Sequence, residues 1–220
     1  MFRILIFLFP FFLVGTLSAQ SFFEGTMSFK VELSGEMAEM LAENEPHDQM
    51  TMHIKDGDYI VLLKGGRYPK TFLFVADSNY EYSIDAANQM VYKYSAHMDV
   101  NRETHQLEKN VDLKAENTGE TAEVNGIMCQ IYKFRKPDAV FYYYVSDDYR
   151  VDVSKYPENC RAKASFLADG LDGRIPLKTV RKEAKLTVVT TLTNVTPREF
   201  DLAQFRIPTG FALKKRDYRY

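Results

Sequence analysis

The sequence predicts a mainly β, β-rich α+β domain: one antiparallel sheet of about ten strands with two or three short helices. Runs of alternating apolar and polar residues, as in strands with one buried face, recur from Phe22 to Thr196. Short turns rich in Gly, Asn and Asp separate them at even spacing, as in a meander. The chain also holds 14 Tyr and 16 Phe but no Trp, and aromatic and β-branched residues favour pleated, half-buried surfaces.

Met1–Gln20 reads as a separate export signal. Arg3 supplies a positive start, Ile4–Val14 is apolar apart from Pro10, and Leu17-Ser18-Ala19 offers small residues for cleavage after Ala19. The apolar run is shorter than the about 20 residues of a membrane span, and no cysteine follows it to take a lipid. The sequence therefore predicts an exported chain with no transmembrane span after cleavage. Residues 20–220 carry no linker, repeat or low-complexity tract, and read as one domain.

Phe22–Leu33 opens it as a strand, with Met27, Phe29, Val31 and Leu33 on one face. Between Ser34 and Glu45 the period changes: Met37, Met40 and Leu41 fall at helical spacing, with Glu36, Glu39 and Glu43 opposite and Pro46 as a stop. That helix either caps the core or acts as a lid on an apolar cavity. Strands follow at Gln49–Lys55, Tyr59–Leu63, Lys70–Ala76, Tyr80–Ile84 and Met90–Tyr94, with Asp56-Gly57 and Gly65-Gly66 at two of the turns.

His97–Lys109 is polar and less periodic, a loop or irregular helix. Thr118–Arg135 is the most regular stretch: a polar turn, Asn125-Gly126, then a central strand alternating Ile127, Cys129 and Ile131 against Met128, Gln130, Tyr132 and Phe134. Ala139–Ser146 is apolar enough to be covered on both faces. Pro157–Asp169 has helical character, ending at Gly170. Ile175–Glu183 and Lys185–Thr196 form a last hairpin, and Ala212–Tyr220 is a basic-aromatic tail.

Against 30 Asp plus Glu the chain has 28 Lys plus Arg, so overall charge argues against nucleic acid. Its two cysteines, Cys129 and Cys160, fit either one disulfide in an oxidising compartment or two separate buried side chains. His47, Met50, Met52 and His53 hold copper-type donors close in sequence, but alternation puts both methionines opposite His53. Lys64–Lys70 could offer amides and cations to an anion, and equally reads as a charged turn. Asp169–Gly173 lacks the spacing of a calcium loop, and Asp147-Asp148 lacks a spaced acidic partner. No catalytic or cofactor motif appears. The sequence thus calls for no enzyme, cofactor or metal.

Together several stretches resemble a secreted family of Bacteroidota, the domain of unknown function numbered 4412. They are Phe23-Glu24-Gly25-Thr26, Met50–Lys55 with its Asp-Gly turn, Val124-Asn125-Gly126-Ile127-Met128-Cys129-Gln130-Ile131-Tyr132, Gly173-Arg174-Ile175-Pro176-Leu177 and Phe205-Arg206-Ile207-Pro208-Thr209-Gly210-Phe211. Met128 departs from the family, which more often has a basic or polar residue there. The resemblance implies a fold like the lipoprotein carriers LolA and LolB, a curved sheet or half-barrel closed by helices over an apolar cavity, and implies no catalytic residues.

Two functions follow as expectations. The first is a binding module of the periplasm or outer-membrane periphery for a hydrophobic small molecule or lipid, such as an acyl chain. Its walls would come from Phe29, Val31, Met52, Phe72, Phe74, Tyr92, Tyr142 and Leu192. The second is a structural protein that docks on an envelope protein through a sheet edge or the tail Lys214–Tyr220.

Overall fold

The computed structural model describes residues 22–44, 46–67, 69–95, 98–100, 107–109, 114–136, 138–156 and 170–215. The expected export signal, the helix expected at Pro157–Asp169, Cys160, His97, His105 and residues 216–220 lie outside them.

Ten antiparallel strands follow the alternation of the sequence. They are β1 (Gly25–Ser34), β2 (Gln49–Lys55), β3 (Asp58–Lys64), β4 (Lys70–Val75), β5 (Tyr80–Asp85), β6 (Met90–Ser95), β10 (Ile127–Arg135), β11 (Val140–Arg150), β12 (Arg174–Lys182) and β13 (Thr187–Pro197). Among the described residues one α-helix, α1 (Glu36–Ala42), follows β1; Met37, Ala38 and Leu41 are half-buried and none of its residues is fully buried. Asn125 (φ 51°) and Gly126 (φ 81°) supply the two positive φ values that a two-residue hairpin needs.

Four further strands correct the sequence reading. The expected polar turn before Asn125 is β9 (Glu116–Val124), an edge strand exposed along most of its length, whose exposure leaves no apolar alternation to read. Within the expected loop at His97–Lys109, β7 (Met98–Val100) and β8 (Leu107–Lys109) pair as a separate small hairpin. The first part of the basic tail, β14 (Ala212–Lys215), lies parallel to β6.

The main sheet has twelve strands in the order β14-β6-β5-β4-β3-β2-β1-β13-β12-β11-β10-β9. β10 is therefore next to an edge, not central. The sheet is unclosed and curved. Asn125 at the β9–β10 turn donates through Nδ2 to the carbonyl of Leu192 in β13, reaching past β11 and β12. Beyond β11, Tyr156 stacks on Phe74 of β4 at 6.1 Å between ring centroids. Register shifts in the pairings of β1 with β13, of β11 with β12 and of β9 with β10 are bulges, which bend strands and strengthen twist.

Three apolar clusters hold the domain. The largest gathers Met27, Phe29, Met52, Ile54, Tyr59, Phe74, Cys129, Ile175, Leu177 and Leu192 among others. A second joins Tyr132, Phe134, Tyr143, Val145 and Leu171. In the third, Phe200 and Phe205 of the closing segment pack on Leu73, Tyr82 and Val91.

Candidate functional site

Pairing in β1–β6 fixes which side chains share a face. Met27 lies opposite Met52, Met52 opposite Val61, Val61 opposite Phe72, Phe72 opposite Ser83 and Ser83 opposite Tyr92. Residues directly opposite in an antiparallel pair point the same way, so these six form one row. Along it burial falls from complete at Met27 to nearly complete at Met52, then to half-buried at Val61, Phe72, Ser83 and Tyr92. The neighbouring row from Ile54 through Tyr59 and Phe74 to Glu81 and Tyr94 is buried throughout.

Four predicted wall residues, Phe29, Met52, Phe74 and Leu192, meet in the largest cluster and are buried. Phe72 and Tyr92 lie further along the Met52 row, on either side of Ser83. Val31, half-buried, is two residues along β1 from Phe29, on the same face. Tyr142 is the exception. It pairs with Val180, Val180 with Val189 and Val189 with Glu32, so it stands on the face opposite Phe29 and Val31.

The methionines and His53 separate as alternation requires. Met50 and Met52 face the largest cluster, whereas the His53 Nδ1 is 2.8 Å from the Thr26 hydroxyl and its ring meets Phe200 edge-on at 5.3 Å. Burial, with the charges of Arg198 and Lys64, holds the His53 pKa below its usual value. Among the described residues no group of three or more His, Cys, Asp and Glu is placed to hold a metal, and no helix is long and apolar enough to cross a membrane.

Two shallow clefts open beside the clusters. One, about 320 Å³, lies between Phe22, Phe23, Ile54, Val151 and Tyr156, with Glu24, Asp56, Asp152 and Lys155 at its rim. The other, about 270 Å³, is lined by Cys129, Gln130, Ser146, Asp147 and Arg174. Arg174, missed as a functional position in the sequence, is the polar anchor here. Its Nε donates to the Leu171 carbonyl (2.9 Å), and its Nη2 donates to Tyr132 Oη (2.9 Å) and the Gly170 carbonyl (3.2 Å). The guanidinium also lies over the Tyr132 ring, 4.8 Å from its centroid. Its donors are spent on the fold. Cys129 is completely buried, and burial, then the nearby Asp148 charge, pushes its thiol pKa up, which disfavours the reactive thiolate.

Residues 23–211 match the family described as domain of unknown function DUF4412. The chain belongs to that family. The sequence matches no curated protein. Among solved structures, this DUF4412 domain is similar to PNGF-II in two crystal forms, with TM-scores of 0.51 and 0.50 at 14% and 11% identity. That overlap covers 88% of this chain but only 32% and 31% of PNGF-II. This chain thus spans about a third of PNGF-II, and the likeness is one of fold alone. An uncharacterized conserved protein from Thermus thermophilus overlaps at TM-score 0.49 and 10% identity, covering 88% of this chain and 91% of that one. LppX, a Mycobacterium tuberculosis lipoprotein, overlaps more loosely, at TM-score 0.34 and 8% identity over 81% of this chain and 90% of its own.

Proposed function

We propose that this DUF4412 domain is an exported, non-catalytic binding module that holds an apolar ligand, such as an acyl chain, against one face of its curved sheet. The observation that carries the reading is the graded row from Met27 to Tyr92. Its inner end is sealed by packing, while Val61, Phe72 and Tyr92 are half-buried on the same face. An apolar surface with a few polar groups, here Ser83 and the Tyr92 hydroxyl, suits a ligand that is mostly hydrocarbon. Methionine at Met27, Met50 and Met52 adds an adaptable lining beneath it.

Native mass spectrometry of residues 20–220, purified without detergent, tests this. The expected result is added mass that organic extraction releases as lipid, together with saturable uptake of a fluorescent acyl probe. A clean apo mass with no probe uptake overturns the reading.

A further inference from the structure

The face of β10–β13 and β1 that carries Tyr142 holds an array of cations that the ligand reading leaves unused. Three consecutive rows define it. Ile131, Tyr144, Lys178, Thr191 and Lys30 form one; Lys133, Tyr142, Val180, Val189 and Glu32 the next; Arg135, Val140, Lys182, Thr187 and Ser34 the third. All but Ile131 are half-buried or exposed. Five cations thus stand on one sheet face about 19 Å wide, four strand spacings. The row of Lys178 begins at buried Ile131 and at Tyr144, which packs against the largest cluster, and the face opens toward Lys133, Arg135 and Lys182.

The array is organised by its tyrosines. Lys133 and Lys182 lie over the Tyr142 ring, each 5.4 Å from its centroid, and Lys178 lies 5.3 Å from that of Tyr144. These contacts hold the amines over the rings. Lys30 is matched by Glu32 at 2.8 Å, and Glu116 lies across from Lys133 in register. Among the described residues no carboxylate comes within ion-pair distance of Lys133, Arg135, Lys178 or Lys182. On a chain whose net charge is −2, this is a concentrated positive surface.

The geometry points to this face as a docking surface for an anionic lipid bilayer. Lysines reach phosphates while their stems cover apolar surface, and tyrosines suit the headgroup layer. Charge complementarity with anionic headgroups supplies the attraction, which decays within a Debye length. The inference builds on the ligand reading only in giving a lipid-binding module a surface to load from.

Flotation of the purified chain with vesicles tests it, using phosphatidylcholine alone and phosphatidylcholine mixed with phosphatidylglycerol. The chain is expected to float only with the anionic vesicles and to be released as salt rises to about 0.5 M. The triple variant Lys133→Gln, Lys178→Gln, Lys182→Gln is expected to bind about a hundredfold more weakly, about fivefold per lysine. Tyr142→Ser, which removes the ring under two of these amines, is expected to weaken binding with the charge unchanged. Circular dichroism confirms that each variant is folded. Failure to float, or a folded triple variant that floats like the parent, overturns the proposal. So does retention on soluble heparin without flotation, which would assign the face to a dissolved polyanion. Uptake of the acyl probe in vesicle-free buffer is scored separately, so loss of either reading leaves the other standing.

Discussion

Asp58 and Arg206, 148 residues apart, tie the closing segment to the sheet. Asp58 is buried, 7% exposed. Its Oδ1 accepts from the Ala76 N–H at 2.9 Å, and its Oδ2 lies 3.4 Å from Arg206 Nη1. Arg206 follows Phe205, which is wholly buried against Leu73, Tyr82 and Val91. Asp58→Ala orphans a buried N–H and is expected to cost about 1–3 kcal/mol in urea unfolding. Asp58→Asn keeps an acceptor and is expected to cost less. Equal losses for the two would show that the Arg206 charge, not the Ala76 bond, dominates.

His53 makes stability depend on pH. Its folded pKa lies below 6.5, so the folded state prefers neutral imidazole and the unfolded chain binds the proton first. This contribution is complete above pH 6.5 and is lost as pH falls through the folded pKa. Asp58 runs the other way: burial raises its pKa above 3.8. The stability linked to its proton is present below pH 3.8 and is lost as pH rises through the folded value. Melting temperature is therefore expected to fall on acidification below pH 6.5, and His53→Gln to flatten that slope. An unchanged slope in the variant would place the titrating group elsewhere.

Arg174 explains a motif that the sequence displays without explaining. In Gly173-Arg174-Ile175-Pro176-Leu177 the glycine has φ 78°, and a Cβ there would come 2.4 Å from the Val151 carbonyl oxygen. Ile175 and Leu177 are buried in the largest cluster, and Arg174 binds the Leu171 and Gly170 carbonyls and Tyr132 Oη. Arg174→Met strips these acceptors of their partner and is expected to cost about 3 kcal/mol. Arg174→Lys is not expected to restore it, because a single ammonium cannot reproduce the planar fork. Full rescue by lysine would mean that charge alone matters at this position.

Strand alternation made most of the ten main strands legible, because one side of each is buried or half-buried, and a continuous apolar run marked β11. β9 was not: Glu116 to Thr121 are all exposed, so no buried face imprints a period. β14 was missed for the same reason, as its four residues are all exposed. For the candidate site, alternation grouped Phe29, Val31, Met52, Phe72, Phe74 and Leu192 with apolar neighbours. It could not place Tyr142 relative to Phe29, because that depends on pairings across β11, β12, β13 and β1. The lysine array was invisible for a related reason: Lys133, Lys178 and Lys182 are brought together only by cross-strand register.

Packing and ligand binding separate most cleanly at two neighbouring aromatic residues of β4. Phe74 is 1% exposed, stacked between Tyr59 at 5.0 Å and Tyr156 at 6.1 Å. Phe74→Ala empties a sealed site and is expected to cost about 3–5 kcal/mol, seen as a lower urea midpoint with the slope unchanged. Phe72, two residues away on the same face, is only half-buried. Phe72→Ser is expected to cost about 1–2 kcal/mol, since less apolar area returns to water, yet to weaken uptake of an acyl probe at least tenfold. Leu192→Ala, in the sealed cluster, serves as the control: stability falls while the folded fraction binds the probe normally. If Phe72→Ser destabilises as strongly as Phe74→Ala and leaves probe uptake intact, the half-buried end of the row is core and the ligand lies elsewhere.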